Sequence, residues 1–474
     1  MSDIDNNKLT NYLRLKKMTH LRKELSFIDL LFLSLGGQAP FLSLLTYATS
    51  VIIYSLLFSP IVVLLGTLIV LLNGLVVFKL SRKYEETGGY YIYAMYSLTR
   101  RLGLETGWMY IFYSSFYGTA YLVGSSFVLH YVFGFSPILA LFVSIIPASV
   151  FLLMGLRPSA KYAEISGVVE ILIIVAVFFV GIYLAHFRFY NPLQRVPSIS
   201  DISLAILFAI GIPTGYGSIT PLSGETINTK DVGKAILYVI IIGGFVASLG
   251  VYGLIDMGLY TNQLSIIFKS SIPILDIMKS NLGIYSIIIM IYAAISDGIL
   301  ASLSFMLGTS RTIYAMAQKD MLPSVFTWLR NNQPIMASLL TIAIYAIISV
   351  PSLLVIKNPF YLFLELGAIA GLANLFVHLS ANFSLFFSSL KDLRKKAIYK
   401  SEKILKRIAS FILARLGEIF LSIIGVTFSL FVLLYSLGTV NRIAENLFMG
   451  WIIVGFLYAE IVDSIKSTKE NNNR

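Results

Sequence analysis

Long apolar runs alternate with short clusters of charged residues along almost the whole chain. Twelve runs can be separated, over residues 27–48, 57–80, 103–131, 137–155, 162–186, 201–222, 233–260, 282–310, 335–356, 359–388, 411–436 and 443–465. Each run provides about the 20 residues that a helix needs to cross a bilayer. The pattern therefore predicts an all-α polytopic membrane protein with twelve transmembrane helices, called spans 1 to 12 below.

The composition of the chain excludes a soluble protein. Of the 474 residues, 57% are hydrophobic and 13% are charged. Soluble proteins have about 45–50% apolar and about 25% charged residues. The sequence contains no cysteine, which excludes disulfides and thiolate metal sites.

The net charge of +12 is distributed in a way that predicts the orientation of the chain. If residues 1–26 are cytoplasmic, 30 of the 36 lysine and arginine residues fall on the cytoplasmic side of the twelve spans. This bias is typical of cytoplasmic loops, so we expect a protein of the cell membrane with both termini in the cytoplasm. Topology explains the basic excess without a nucleic-acid partner. The basic stretch 391–415 is either the largest such loop or a contact with anionic membrane lipids.

Spans 1 and 6 each carry a cluster of glycine and proline near the middle. The clusters read LGGQAP over 35–40 and IGIPTGYG over 210–217. Such clusters are tolerated in a bilayer mainly where the freed backbone groups line a cavity or meet a ligand. Glycine also allows close helix packing, but two clusters at matched depth favour a binding site. Paired broken helices in corresponding positions of inverted repeats indicate a secondary transporter.

The expected breaks also predict the charges of the ligand. A half-helix that begins after Gly37 presents free N–H groups and a positive dipole end, which suit a carboxylate. The free carbonyl groups that end the preceding half-helix suit an ammonium group or a metal cation. An amino acid zwitterion carries both kinds of charge.

Three stretches resemble signatures of the amino acid/polyamine/organocation superfamily. They are YEETGGYYIYAMYSLTRRLGLETGW over 84–108, TGYGSITPLSGETINTKDVGKAI over 214–236 and GTSRTIYAMAQKDMLPSVF over 308–326. The first contains the Gly-Gly pair, the Tyr-x-Tyr and the final Gly-Trp of that superfamily. The resemblance covers about the first 390 residues.

The resemblance implies a core of two five-helix repeats of inverted topology, with discontinuous spans 1 and 6 and with alternating access to the two sides. The implied segments are a cytoplasmic N-terminal segment (1–26), a first repeat (27–186), a second repeat (187–390), a basic cytoplasmic loop (391–410), helices 11 and 12 (411–465) and a cytoplasmic tail (466–474).

The resemblance also implies where a substrate binds. The backbone of 36–38 would meet a carboxylate, carbonyl groups near 210–214 would meet an amino group, and the ring at 216 would pack over the site. The candidate substrate-binding residues are Gly36, Gly37, Gln38, Ile210, Gly211, Thr214, Gly215 and Tyr216. Tyr117 belongs to a stripe of tyrosines along span 3; such a stripe is more often packing, but it is a further candidate near the substrate.

Acidic residues inside the spans are candidate functional groups, because a charge at the bilayer centre costs about 2.5–3.5 kcal/mol on insertion scales. Glu170 lies about eight residues into predicted span 5. An apolar surrounding favours the neutral form of a carboxyl group, so we expect Glu170 to carry a coupling proton or to ligate a cation. The alternative is a protonated core acid bonded to a neighbouring hydroxyl.

Three further polar residues inside spans are candidates for transport. Ser304 of span 8 is expected at the same depth as Glu170, and the resemblance assigns a hydroxyl there to the coupling ion. Asp297 and Glu365 are expected to attract a cationic substrate side chain or to line a hydrated vestibule. His378, the one histidine well inside a span, is expected to be structural.

The sequence contains no enzyme motif, nucleotide-binding loop or metal-ligand spacing, so we expect no enzyme, cofactor or bound metal. It predicts a secondary active amino acid transporter that is coupled to protons. A polyamine or cationic amino acid exchanger is the alternative, and a nutrient receptor that binds without transporting is a third interpretation.

Overall fold

The computed structural model describes residues 21–396, 405–438 and 440–472. Most of the predicted N-terminal segment, part of the basic loop and the end of the predicted tail lie outside the described residues. The α-helices of the described chain are α1 Phe27–Gln38, α2 Pro40–Ser55, α3 Ser59–Ser81, α4 Tyr90–Ser97, α5 Arg100–Phe133, α6 Pro137–Met154, α7 Leu156–Leu184, α8 Ile199–Gly211, α9 Asp231–Tyr260, α10 Leu264–Lys269, α11 Pro273–Leu282, α12 Ile284–Gln318, α13 Ile335–Val355, α14 Pro359–Lys396, α15 Leu405–Leu437 and α16 Arg442–Asn472.

Short elements of other kinds connect these helices. Four 3-10 helices cover Leu56–Phe58, Pro192–Gln194, Tyr216–Glu225 and Ser324–Thr327. Two-residue strands β1 Leu329–Arg330 and β2 Gln333–Pro334 form an antiparallel pair.

Ten helical segments of the described chain are long and apolar enough to cross a membrane. The first, Phe27–Ser81, has 55 residues and contains both of the predicted spans 1 and 2. Predicted span 3 corresponds to the 34-residue helix α5, which is not among the ten, since Tyr, Ser and Gly are frequent in it. The polytopic all-α architecture is confirmed, while the number of twelve crossings and the inverted repeat stay predictions.

Helix α1 begins at a capping box. The Ser26 hydroxyl accepts a hydrogen bond from the Asp29 backbone N–H at 3.3 Å, and the Asp29 carboxylate accepts one from the Ser26 backbone N–H at 2.7 Å. The two residues satisfy each other's free backbone groups at the helix start. Arg157 also pairs with Asp29 at 3.4 Å, so this end of span 1 is fixed to the start of α7.

Span 1 is interrupted at Ala39, between α1 and α2. Ala39 has φ 48° and ψ 65°, and its N–H donates to the Gly36 carbonyl at 3.0 Å. Pro40 has no N–H to continue the hydrogen bonds of α1, so a new helix starts there. The expected start directly after Gly37 was therefore wrong by two residues, because 36–38 form the last turn of α1.

Span 6 is interrupted over residues 212–215. Helix α8 ends at Gly211, and a 3-10 helix begins at Tyr216. Gly215 has φ +104°, a conformation that favours glycine because a side chain would collide with the backbone. The structure thus has interruptions in both spans that the glycine and proline clusters singled out.

The centre of the bundle is formed by α5 and α12, which pack against each other over long stretches and are largely buried. The last two spans lie at its periphery and are the least buried of the ten segments. Helix α16 packs on α5 through Trp451 and Trp108, whose rings stack with centroids 4.4 Å apart. The two interrupted spans also contact α12.

Candidate functional site

The two interruptions lie against each other inside the bundle. A methyl group placed on Gly37 would come within 2.5 Å of both the Gly215 carbonyl oxygen and the Ser218 hydroxyl oxygen. A methyl group on Gly215 would collide with the Gly37 carbonyl oxygen in turn. Both glycines therefore allow close backbone packing, which was the alternative to a binding site, and they bring the interruptions to the same depth.

Side chains and backbone donors of the protein already occupy the carbonyl groups of the span 6 interruption. The Gln38 side-chain amide donates to the Pro213 carbonyl at 2.8 Å. The Tyr117 hydroxyl donates to the Thr214 carbonyl at 3.1 Å. The Thr214 hydroxyl donates to the Ile210 carbonyl at 2.7 Å, and its N–H donates to the Gly211 carbonyl at 3.3 Å. The carbonyl groups expected to meet a substrate ammonium are thus satisfied internally in this state.

A chain of hydroxyl groups connects the two interruptions. The Ser43 hydroxyl donates to the Gln38 carbonyl at 2.9 Å and shares a hydrogen bond of 2.8 Å with the Tyr121 hydroxyl. The hydroxyl oxygens of Tyr121 and Tyr117 lie 3.2 Å apart. Because Ser43 and Tyr117 donate their own protons to carbonyl groups, the single Tyr121 proton is donated either to Ser43 or to Tyr117. The chain ends on the Thr214 carbonyl through Tyr117. The tyrosine stripe of span 3, which the sequence favoured as packing, therefore provides polar contacts to both interruptions.

The positive end of α2 is occupied by an acid from another span. The Leu42 N–H, in the first turn of α2, donates to an Asp297 carboxylate oxygen at 2.7 Å. The side chain of Asp297, on α12, is fully buried, and its second oxygen has no hydrogen-bond partner among the described residues. The sequence placed Asp297 near the middle of span 8 but gave no signal for this contact between spans.

Glu170 is buried at the middle of α7 and lies further from the helix start than expected, because α7 begins at Leu156 and not at 162. Its carboxyl group neighbours those of Asp297 and the Ser296 side chain. Neither Glu170 oxygen has a hydrogen-bond partner of good geometry within the described parts of the chain. The structure thus brings together two acids that the sequence treated separately.

Of the remaining candidate residues, Ser304 and Tyr216 contact the interrupted spans, and Glu365 lies away from them. The Ser304 hydroxyl lies two turns from Asp297 along α12 and donates to the Leu33 carbonyl of α1 at 2.8 Å. Tyr216 is buried beside the Gly37–Gly215 contact and shares a hydrogen bond of 3.2 Å with the His378 ring. Glu365 accepts from the Asn441 amide at 3.4 Å, next to the two peripheral spans, and the structure does not bring it to the interruptions.

The sequence model of the amino acid permease family matches residues 29–472. This stretch includes both interruptions and both peripheral spans. The chain belongs to the amino acid permease family. The resemblance to the amino acid/polyamine/organocation superfamily is thereby confirmed, and it extends beyond the 390 residues on which it was first based. Comparison with curated proteins gave no match. Members of the permease family are membrane transporters of small molecules and not enzymes.

A buried ion pair lies on the predicted cytoplasmic side of the permease. The Arg311 guanidinium donates to both oxygens of Glu225, at 3.0 and 3.2 Å, and to the Gln333 side-chain oxygen at 2.6 Å. Both side chains of the pair are fully buried. The Glu225 carbonyl also accepts from the N–H groups of Glu24 and Leu25. The end of span 6, α12, β2 and the segment before α1 are thus tied together.

A cavity of about 740 Å³ lies next to this ion pair in the permease. Its wall includes charged side chains of both signs, among them Glu85, Glu86, Lys319 and Asp320. A second cavity of about 370 Å³ is lined by Arg330 and the end of α6. Neither of these two cavities is lined by the interruptions. No cluster of three or more metal-ligating side chains occurs in the described parts of the permease.

Proposed function

We propose that the chain is a secondary active amino acid transporter that works by alternating access and couples transport to protons through Glu170. The observation that carries the proposal is the meeting of two interrupted spans inside the bundle, beside a pair of buried acids. Interrupted helices are the usual way in which membrane transporters expose backbone groups to a polar substrate. The family match supports a transporter of amino acids or related amines.

The substrate would bind by displacing the internal partners of the interruptions. Its ammonium group would take over the carbonyl groups of Pro213 and Thr214, which Gln38 and Tyr117 occupy in this state. These two partners are side chains, so rotation about their own bonds frees the carbonyl groups without unwinding a helix. The contacts of 36–38 with a carboxylate need revision, because the N–H groups of that turn belong to α1 and the free donors lie in α2.

The opening towards the predicted cytoplasm would break the ion pair between Arg311 and Glu225. The pair lies between the interruptions and the 740 Å³ cavity along α12 and the 3-10 helix Tyr216–Glu225. Separating the two charges leaves each of them buried without its partner, which is costly. The ion pair is therefore suited to hold a closed state until the free energy of substrate binding offsets this cost. The positive-inside distribution supports this orientation, with both termini in the cytoplasm and the spans in the cell membrane.

Glu170 is suited to carry a proton because its surroundings offer it no positive charge. The groups that act on it are the carboxyl of Asp297 and the Ser296 side chain. Two adjacent acids in a low-dielectric interior are not both ionised, because the charges repel each other and lose their hydration. One proton can therefore be held in the acid pair. A bound metal cation could neutralise the two acids instead of a proton. The experiment below distinguishes proton coupling from cation coupling.

Uptake into proteoliposomes under an imposed pH gradient tests the proposal. We expect the wild type to accumulate at least one radiolabelled amino acid, and Glu170→Gln to bind it with similar affinity but to lose the accumulation driven by pH. Glu164→Gln is the matched control, because Glu164 lies on the same helix and pairs with Lys161 at 2.8 Å near its start. If Glu170→Gln keeps the pH dependence of the wild type, Glu170 is not the coupling residue.

The same assay separates the other candidate functions. The acid pair favours a cationic amino acid or a polyamine as the second candidate, since it adds negative charge beside the interruptions. Putrescine, an unbranched diamine without a carboxylate, competes only in that case. Saturable binding to the purified protein without accumulation in liposomes would instead identify a nutrient receptor. Replacing the pH gradient by a sodium gradient distinguishes proton coupling from sodium coupling.

A further inference from the structure

The first turn of α2 is a binding position for one carboxylate, and Asp297 occupies it. Pro40 has no N–H, the Ala39 N–H is bonded to Gly36, and the Ser43 N–H is bonded to Ala39 at 2.8 Å. The N–H groups of Phe41 and Leu42 are therefore left without an acceptor inside the helix. The Leu42 N–H donates to Asp297 at 2.7 Å, and the Phe41 N–H faces the same carboxyl group. The N-terminus of a helix combines free N–H donors with the positive end of the helix dipole, which together favour an anion.

The acids at this position are not otherwise neutralised. In the described chain, one oxygen of Asp297 and both oxygens of Glu170 are buried without a hydrogen-bond partner of good geometry, and the two carboxyl groups are neighbours. The titratable groups that face the pair are Tyr121 from α5 and Tyr162 from α7, whose hydroxyls interact with Ser43 and Ser296. Helix α6, which also packs on α12, has no titratable side chain over Pro137–Met154. The end of α2 is thus the positive counterpart of the Asp297 carboxylate, and Glu170 lies beside Asp297 without a contact to that helix end.

We infer that Asp297 is an internal substitute for the carboxylate of the substrate. In the substrate-free state the Asp297 carboxylate takes the Leu42 N–H. A substrate carboxylate can take that donor only when Asp297 leaves it, and Asp297 leaves as the neutral acid after taking up one proton from solution. The only bond formed is the O–H bond of Asp297, so the charge at the end of α2 is the same before and after binding.

This inference rests on the proposed function and adds to it the residue that ties proton uptake to substrate binding. Glu170 remains the neighbour through which the proton is shared. The competing explanation is that Asp297 is only a structural cap for α2, provided from another span. The two explanations differ in the pH dependence of substrate binding, because a structural cap keeps its carboxylate when the substrate arrives.

The test compares Asp297→Asn with the wild type by equilibrium binding of the radiolabelled amino acid that the wild type accumulates. Linkage of one proton to one substrate lowers the affinity of the wild type about tenfold per pH unit in the alkaline range. The asparagine oxygen still accepts from Leu42 but takes up no proton, so we expect the affinity of Asp297→Asn to be independent of pH. Asp256→Asn is the matched control, because Asp256 is also buried and accepts a backbone N–H, from Tyr190 at 3.4 Å.

A second measurement uses the unaltered protein, so that a misfolded variant does not decide the outcome. We expect the wild type to take up about one proton per bound amino acid in weakly buffered solution with a pH-indicating dye. A wild-type pH dependence in Asp297→Asn, or no proton uptake on binding, overturns the role of Asp297. In the first case the proposed function stands if accumulation still requires Glu170. If the wild type binds no amino acid at all, the proposed function fails together with this inference.

Discussion

A methyl group at Gly37 gives a direct test of the contact between the interruptions. Gly37 lies in the last turn of α1, and Gly37→Ala would place its methyl 2.5 Å from the Gly215 carbonyl and the Ser218 hydroxyl. The hydroxyl can rotate away, but the carbonyl belongs to a backbone held by the φ of Gly215. Helix propensity alone makes the alanine variant more stable by about 0.5–1 kcal/mol. Overpacking of a close contact costs about 1–3 kcal/mol.

Together, the gain in helix propensity and the cost of overpacking should lower the free energy of unfolding of Gly37→Ala by about 1–2 kcal/mol. Every 1.4 kcal/mol is a factor of ten in an equilibrium. Substrate affinity should therefore fall about tenfold if the free variant relieves the contact by separating the interruptions and binding restores their native spacing. The assays are the thermal unfolding midpoint of the purified protein in detergent and equilibrium binding of the transported amino acid.

Gly371→Ala is the control for this prediction. Gly371 lies in α14, and a methyl group there meets no atom within 4 Å. Only the higher helix propensity of alanine then affects stability, so we expect an unchanged or slightly raised unfolding midpoint and normal substrate binding. The opposite signs of the two variants distinguish the close contact from a general effect of alanine. If Gly37→Ala is as stable and as active as the wild type, the two interruptions are not in contact as described.

Three other substitutions test separate parts of the structure. Gly215→Ala forces an alanine to φ +104° at a cost of about 1–3 kcal/mol, and we expect a lower unfolding midpoint with loss of uptake. Glu225→Gln leaves the buried Arg311 charge without its anion, and we expect a loss of about 3–5 kcal/mol; normal stability would show that the pair does not close the molecule. Trp451→Ala removes the stacked contact with Trp108 at 4.4 Å, and we expect a lower midpoint with transport retained, whereas abolished transport in a folded variant would contradict the peripheral place of α16.

The interruptions could be predicted from sequence because they depend on local chemistry. Pro40 and Pro213 cannot donate to a helix, and glycine tolerates conformations that other residues avoid. Their exact places could not be predicted. Ala39 takes the left-handed conformation although alanine has no preference for it, and in this conformation its N–H reaches the Gly36 carbonyl at the end of α1.

The partners of the candidate residues could not be predicted, because they come from other spans. Asp297 lies 255 residues from Leu42 along the chain, and nothing in the periodicity of span 8 indicates which helix end it faces. Glu170 lies further from the start of its helix than the sequence indicated, because the first turns of α7 contain Arg157 and Lys161, which the apolar pattern excluded from the span. Helix α7 tolerates them because both side chains are exposed.

The hydrogen-bond partners of the carbonyl groups at the span 6 interruption could not be predicted from the sequence either. The break pattern predicted free carbonyl groups, and the structure provides Gln38, Tyr117 and Thr214 as their partners. A buried carbonyl without a partner is costly, so a substrate-free closed state needs such replacements. Tyrosine and glutamine at these positions are consistent with that need, but only the packed structure shows which carbonyl each of them reaches.

Protection of a single thiol by substrate tests the central claim that the interruptions hold the cargo. The chain has no cysteine, so Thr214→Cys introduces a unique thiol at the span 6 interruption, and Ser200→Cys introduces an exposed one at the start of α8. At ten times the dissociation constant, the amino acid should slow maleimide labelling of Thr214→Cys about tenfold and leave Ser200→Cys unaffected. Equal labelling of Thr214→Cys with and without substrate, in a variant that still transports, would show that the cargo binds elsewhere.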